Sequence, residues 1–197
     1  MDRLLTLTVA MVLLLSGEPG AADEPSRYRL DLGADLSFID ASGYPAWTEG
    51  SAGKLRYDSD SDGLMLSQAY ADYSLRLADT LDLHTVALLY SDDIGSTIDF
   101  SEAYLEWRPM TLTENRYRLK LGAFYPRVSL ENSGPGWSSP YTISSSAINT
   151  WMGEEFRIFG TEFSVSRKPE FLGGSHTLSF QAAAFIQNAP AGTLLSW

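Results

Sequence analysis

Ile98–Pro109 reads IDFSEAYLEWRP and Arg116–Tyr125 reads RYRLKLGAFY, with MTLTEN, Met110–Asn115, between them. In the second arm Tyr117, Leu119, Leu121, Ala123 and Tyr125 alternate with Arg116, Arg118, Lys120 and Gly122. In the first arm Ala103, Leu105 and Trp107 alternate with Glu102, Tyr104, Glu106 and Arg108. A period of two is the signature of strands, because successive side chains leave opposite faces of a pleated chain. The stretch therefore reads as a hairpin with one apolar face and one charged face. Each arm is about ten residues long, the length a tilted strand needs to cross a bilayer. A soluble sheet with one wet face shows the same alternation. The fold is thus decided by how often the pattern recurs.

It recurs on both sides of the hairpin. Upstream, Tyr28, Leu30, Leu32, Ala34, Leu36 and Phe38 alternate with Arg29, Asp31, Gly33, Asp35 and Ser37, giving a first strand over Arg27–Ile39. A second strand spans Leu64–Leu77, a short turn covers Ala78–Thr80, and a third strand runs over Leu81–Tyr90. In the third strand Val86, Leu88 and Leu89 blur the two faces. Downstream, Glu155–Arg167 sets Phe159, Phe163 and Val165 against Gly160, Glu162, Ser164 and Ser166. His176–Gln187 sets Leu178, Phe180, Ala182, Ala184 and Ile186 against Thr177, Ser179, Gln181 and Phe185. The expectation is an all-β chain of about seven antiparallel strands, most of them longer than the usual five or six residues. The two longest connections, Asp40–Asp62 and Pro126–Gly153, follow the first and fifth strands and so lie on one side of the sheet. The connections on the other side are short. Outer-membrane barrels have this parity, with long external loops and short periplasmic turns.

Composition narrows the partners. The 197 residues carry 14 basic and 25 acidic side chains, a formal charge of -11. A nucleic-acid partner needs a basic footprint, so none is expected. The chain has no cysteine, which leaves sheet, packing or membrane to hold it. Residues 1–22 look like a secretory signal: Arg3 gives a positive start, Leu4–Leu15 is apolar, and Ser16–Ala22 ends in small residues. Cleavage after Ala22 would leave 23–197 as the β domain. No run reaches the length of a membrane-spanning helix.

Four features together resemble the porin-type outer-membrane proteins of Gram-negative bacteria, the broad group that includes phosphate-selective porins. They are the signal, SEAYLEWRP at Ser101–Pro109, YRLKLGAFYPRVSLEN at Tyr117–Asn132, and SSPYTISSSAINTWMGEE at Ser138–Glu155. The resemblance implies an up-and-down transmembrane β-barrel in the outer membrane. Such a barrel would pass small polar solutes by diffusion, with membrane lipid as its other partner, no cofactor and no enzymatic step. Bacterial barrels have an even strand count of eight or more, and a barrel open in lipid is not viable. Seven strands therefore lead to the expectation that this chain is the N-terminal part of a longer barrel. A soluble periplasmic or secreted β-sandwich that binds a ligand is the alternative. A barrel enzyme is a third reading.

The residues that would carry a channel's selectivity lie on the charged face. Arg116, Arg118 and Lys120 form a basic ladder, with Arg76 and Arg108 near it. Rings of Lys and Arg draw anions into pores. Asp72, Glu102 and Glu106 fall on the same face of nearby strands, so cross-strand pairing is the favoured main role of the ladder. By resemblance, the loop Arg127–Glu155 folds inward to narrow the pore and brings Asn149, Trp151, Glu154 and Glu155 to the opening. The other reading of that loop is a cap packed on the rim. DSDSDG, Asp58–Gly63, matches the first half of a calcium loop through Asp58, Asp60 and Asp62. Its twelfth position is Ala69 instead of Glu and no helices flank it, so a polar turn is preferred to a metal site. His84 and His176 lie far apart, and no G-x-S-x-G motif accompanies them. Neither histidine is expected to be catalytic.

Overall fold

Alternating apolar and polar side chains satisfy their backbone groups by pairing sideways, and every expected strand forms. The computed structural model describes residues 26–40, 45, 58, 63–92, 95–126, 156–168 and 176–188. Its strands are β1 (Tyr28–Ile39), β2 (Gly63–Ala78), β3 (Leu81–Asp92), β4 (Gly95–Trp107), β5 (Arg116–Phe124), β6 (Ile158–Arg167) and β7 (Leu178–Asn188). They form one up-and-down antiparallel sheet in the order β1-β2-β3-β4-β5-β6-β7. Each strand pairs with its neighbours in sequence, as hairpin connections dictate. Among the described residues no pairing joins β7 to β1, so the sheet is not closed.

The strands divide between two compact units. The described part of one falls within Asp31–Ala71 and Ala87–Asp99. That of the other falls within Ala22–Leu30, Asp72–Val86 and Phe100–Trp197. In the first unit Gln68 Nε2 donates to Asp35 Oδ2 at 3.4 Å. The Tyr70 ring there covers Gly33, in the space that a Cβ at Gly33 would occupy.

In the second unit the register gives each face its composition. On one face Leu105 lies opposite Leu121, and Trp107 opposite Leu119. Leu119 continues the row to Phe163, and Phe163 continues it to Ala182. On the other face Glu106 is opposite Lys120, which is opposite Glu162. Thr111 Oγ1 closes the β4–β5 turn by donating to the Asn115 carbonyl at 2.7 Å. Gly122 has φ +144, a conformation that L side chains rarely adopt, and a Cβ there would lie 2.7 Å from Tyr104 Cα. Glycine lets the two strands approach at that point.

Two details depart from simple alternation. Between β6 and β7 the register slips at Phe159/Gly160: Phe159 faces Gln187 while Gly160 faces Phe185. Ile186 is the extra residue of a bulge. It therefore does not extend the row of Leu178, Phe180, Ala182 and Ala184, as strict alternation predicts. In β3 the blurred face resolves, because Val86 and Leu88 are both buried and lie two residues apart on one face.

The burial pattern is the reverse of a soluble sheet. Leu30, Leu32, Leu36 and Phe38 of β1 are exposed, as are Leu105, Trp107, Leu121 (59%), Phe159, Phe163 and Phe180 (61%). Ser37, Gln68, Asp72, Lys120 (8%) and Glu162 (1%) are buried instead. Most of the inaccessible side chains lie on the polar face, Val86, Phe124 and Ile158 among them, and Ala123 is buried on the other.

Candidate functional site: a paired charge belt on the buried polar face

Register places the charged side chains of β2–β6 side by side within the second unit, and they pair. Arg76 Nε lies 4.0 Å from Asp82 Oδ1. Asp82 also pairs with Arg108, whose Nε is 3.2 Å from Glu106 Oε1. Arg118 is 3.9 Å from Glu106 and 3.7 Å from Glu162. The result is an alternating chain, Arg76–Asp82–Arg108–Glu106–Arg118–Glu162, that crosses five strands. Lys120 sits inside this belt, its Nζ 4.5 Å from the Tyr104 ring centroid and 5.4 Å from that of Phe124. Burying such charges is costly when they stand alone, and alternation of sign is what makes the buried face tolerable. Glu162 has the fewest partners: neither carboxylate oxygen makes a hydrogen bond, and Arg118 is the cation beside it.

Beside the belt lies a polar cluster. Ser74 Oγ is 3.0 Å from His84 Nδ1, and Asp72 Oδ1 is 3.4 Å from the same nitrogen. His84 Nε2 is 3.8 Å from Glu102 Oε2, and its ring leans on Tyr104 with centroids 4.8 Å apart. The other Glu102 oxygen accepts the Tyr125 N–H at 3.0 Å. The histidine is thus held between two carboxylates and an aromatic ring. Arg157 braces the next row. Its Nε donates to the Ser101 carbonyl at 2.9 Å and its Nη2 to the Phe100 carbonyl at 2.6 Å.

The positions singled out from sequence fare differently. Asp72, Arg76, Glu102, Glu106, Arg108, Arg118 and Lys120 lie on the polar face; of the ladder, Arg118 pairs with Glu106, whereas Asp72 and Glu102 lie beside His84. Arg116 is exposed at the start of β5, opposite Ser166. Asn149, Trp151, Glu154, Glu155, Asp60 and Asp62 lie outside the described residues. Asp58 is described and buried. Among the described residues no three His, Asp or Glu side chains are grouped to hold a metal ion. Asp82, His84, Arg157 and Glu162 were missed as site members. Period-two parity carried a signal for Asp82 and Glu162, because each falls on the charged face of its strand. Nothing local distinguishes Arg157, whose partners are about 56 positions away in sequence.

The belt also borders an open groove of about 520 Å³, lined in part by Arg27, Arg29, Ser74, Arg76, Tyr104 and Arg108. The groove lies at the end of the sheet that carries the short Asp79–Thr80 turn. There the Arg76 N–H donates to the Arg27 carbonyl at 2.7 Å, and the Arg108 N–H to the Thr80 carbonyl at 2.8 Å. The geometry offers cationic, hydroxyl and aromatic groups to a polar solute. In comparisons with protein families, curated proteins and solved structures, nothing matches this chain.

Proposed function

We propose that this chain forms part of an outer-membrane β-barrel that passes small polar solutes by diffusion. The observation that carries the reading is the inverted burial: Asp72, Lys120 and Glu162 of the charged face are hidden, while Leu105, Leu121 and Phe163 of the apolar face are open. In water this arrangement is unfavourable. Each Leu or Phe left exposed forgoes about 1.5–3 kcal/mol of burial. In a bilayer the same arrangement is favourable, because lipid covers the apolar face and a wet interior solvates the charges. Strands of 9 to 16 residues suit a tilted crossing. A soluble sandwich would instead bury Leu105, Leu121 and Phe180, which share one face, against a second sheet.

On this reading residues 1–22 are an export signal and outer-membrane lipid is the direct partner of the apolar face. The belt sets a charge-balanced wall along the passage. The reaction is passage alone, with no bond made or broken.

The reading is tested with the chain in native outer membranes. Single cysteines replacing Leu121 and Phe180 are expected to react with a lipid-phase photoprobe, and one replacing Arg118 with a small water-soluble thiol reagent. In planar bilayers the purified protein is expected to give stepwise conductance. Shielding of positions 121 and 180 from the lipid probe would sink the barrel and leave the sandwich in its place.

A further inference from the structure

Three neighbouring strands bring a serine, a histidine and a carboxylate into line at the open groove. Ser74 stands on β2, His84 on β3 and Glu102 on β4. Ser74 Oγ lies 3.0 Å from His84 Nδ1, a hydrogen-bond distance, and both residues line the groove. Glu102 Oε2 meets the other ring nitrogen at 3.8 Å and is not part of the groove wall. Glu102 is itself held, because its second oxygen accepts the Tyr125 N–H at 3.0 Å. The Tyr104 ring packs on His84 and steadies the imidazole. A proton on Nε2 faces Glu102 and leaves Nδ1 as the acceptor for the Ser74 hydroxyl. This arrangement activates a weak hydroxyl nucleophile, with a base within reach and a third group to orient the base. The 3.8 Å contact is longer than a hydrogen bond, as catalytic contacts often are before substrate tightens them.

The surroundings suit the charge changes of acyl transfer. When Nδ1 takes the serine proton the imidazole becomes cationic, and Glu102 and Asp72, whose Oδ1 is 3.4 Å from Nδ1, stabilise it. Arg76 lies two residues along β2 from Ser74 and lines the same groove. It meets Asp82 through Nε at 4.0 Å, and a guanidinium has five N–H donors, so donors remain for an oxyanion. The groove, about 520 Å³, is of a size that holds organic molecules. Charged and hydroxyl groups make up most of its wall, and Tyr28 and Tyr104 supply the apolar surface. A short acyl chain fits such a wall, whereas a long one finds little cover.

We propose that Ser74, His84 and Glu102 form a hydrolytic site for short-chain carboxylic esters. Ser74 Oγ bonds to the ester carbonyl carbon while its proton passes to His84 Nδ1. The C–O bond to the alcohol then breaks, and Nδ1 gives the proton to the leaving oxygen. Water attacks the acyl-serine by the same route, releasing the carboxylic acid and restoring the hydroxyl. Ser74 and His84 are the catalytic residues, and Glu102 is a positioning residue. The missing G-x-S-x-G motif does not exclude the site, because its members come from three strands and meet through register. The activity is separate from the passage of solutes, in which no bond changes, and it needs no pore.

The test uses the full-length purified protein in detergent. A fluorophosphonate, which an activated serine attacks with loss of fluoride, is expected to add to Ser74, as located by peptide mass. His84→Gln is expected to slow this labelling at least ten-fold. Glu102→Gln keeps an acceptor for the Tyr125 N–H. It should also slow labelling at least ten-fold, yet reach one label per chain at completion, whereas misfolding would lower the final stoichiometry. Ser74→Ala should abolish both labelling and turnover of p-nitrophenyl butyrate, and Ser179→Ala, outside the groove, should change neither. The butyrate ester is expected to show kcat/KM at least ten-fold above that of the palmitate ester. Circular dichroism on each variant separates lost chemistry from lost folding. No labelling at Ser74, labelling indifferent to His84→Gln or Glu102→Gln, turnover that survives Ser74→Ala, or preference for the palmitate ester would overturn the proposal. Bilayer conductance without labelling refutes this site and spares the channel. Labelling without conductance does the reverse.

Discussion

Gly122 shows how a single residue sets the approach of two strands. Its φ of +144 disfavours any side chain, and Tyr104 fills the space above it. Gly122→Ala is expected to lower stability by about 1–3 kcal/mol from the backbone alone, and further because the Ala103 carbonyl and Tyr104 must move. Gly63 provides the contrast, since φ is +117 but nothing lies within 4 Å of a Cβ placed there. Gly63→Ala should therefore cost less, and a comparison of denaturant midpoints of the two variants checks the order. Arg157 is the other residue with a clear single role, because one guanidinium serves two carbonyls, those of Ser101 and Phe100. Lysine keeps the charge but cannot span both acceptors. Arg157→Lys is expected to cost about 1.5–3 kcal/mol, the usual worth of a charged hydrogen bond, read from the same unfolding curves. Equal midpoints for Arg157→Lys and the parent protein would show that the brace is dispensable.

At the scale of the element, the β4–β5 hairpin separates two environments across one pleat. Leu121 is open on one face while Lys120 is buried on the other. In the proposed barrel, Leu121→Arg would place a charge against lipid at a cost of about 2–4 kcal/mol near the midplane. It should sharply reduce the heat-modifiable, folded form on gels, whereas Arg118→Gln should assemble. Period two alone treats Arg118 and Lys120 as equally wet. The packed structure divides them: the Arg118 side chain keeps 32% exposure, while Lys120 is covered by Tyr104 and Phe124. A cysteine at position 118 is thus expected to react with a water-soluble thiol reagent many times faster than one at 120. Equal rates would mean that the aromatic cover over Lys120 is open in solution.

For the whole molecule the decisive feature is the pair of sheet ends. β1 and β7 terminate the strand order, and all eleven residues of β7 are exposed. Unpaired N–H and C=O groups are unfavourable in lipid, and an exposed edge recruits another strand. A photo-cross-linker carried on a cysteine that replaces Gln181 in β7 should therefore capture another strand in detergent or membranes. A monodisperse, protease-resistant monomer that gives no cross-link would show that this edge is satisfied within the chain.

The strands themselves were legible in the sequence, because a period of two is imposed by the pleat and needs no knowledge of neighbours. So were the identities of the two faces: Tyr117, Leu119 and Leu121 on one, Arg118 and Lys120 on the other. Of the three carboxylates that share the ladder's parity, Glu106 meets Arg118, whereas Asp72 and Glu102 lie against His84. Three things depended on the tertiary structure. Which carboxylate meets which arginine was set by register, and a change of one residue moves every side chain to the other face. The slip at Ile186 came from a bulge that alternation cannot reveal. The partners of Arg157 and the gathering of Arg27 and Arg29 beside Arg76 and Arg108 join positions distant in sequence. The physical reason is common to all three: periodicity is a property of one strand, whereas charge pairing and burial belong to strands already laid side by side.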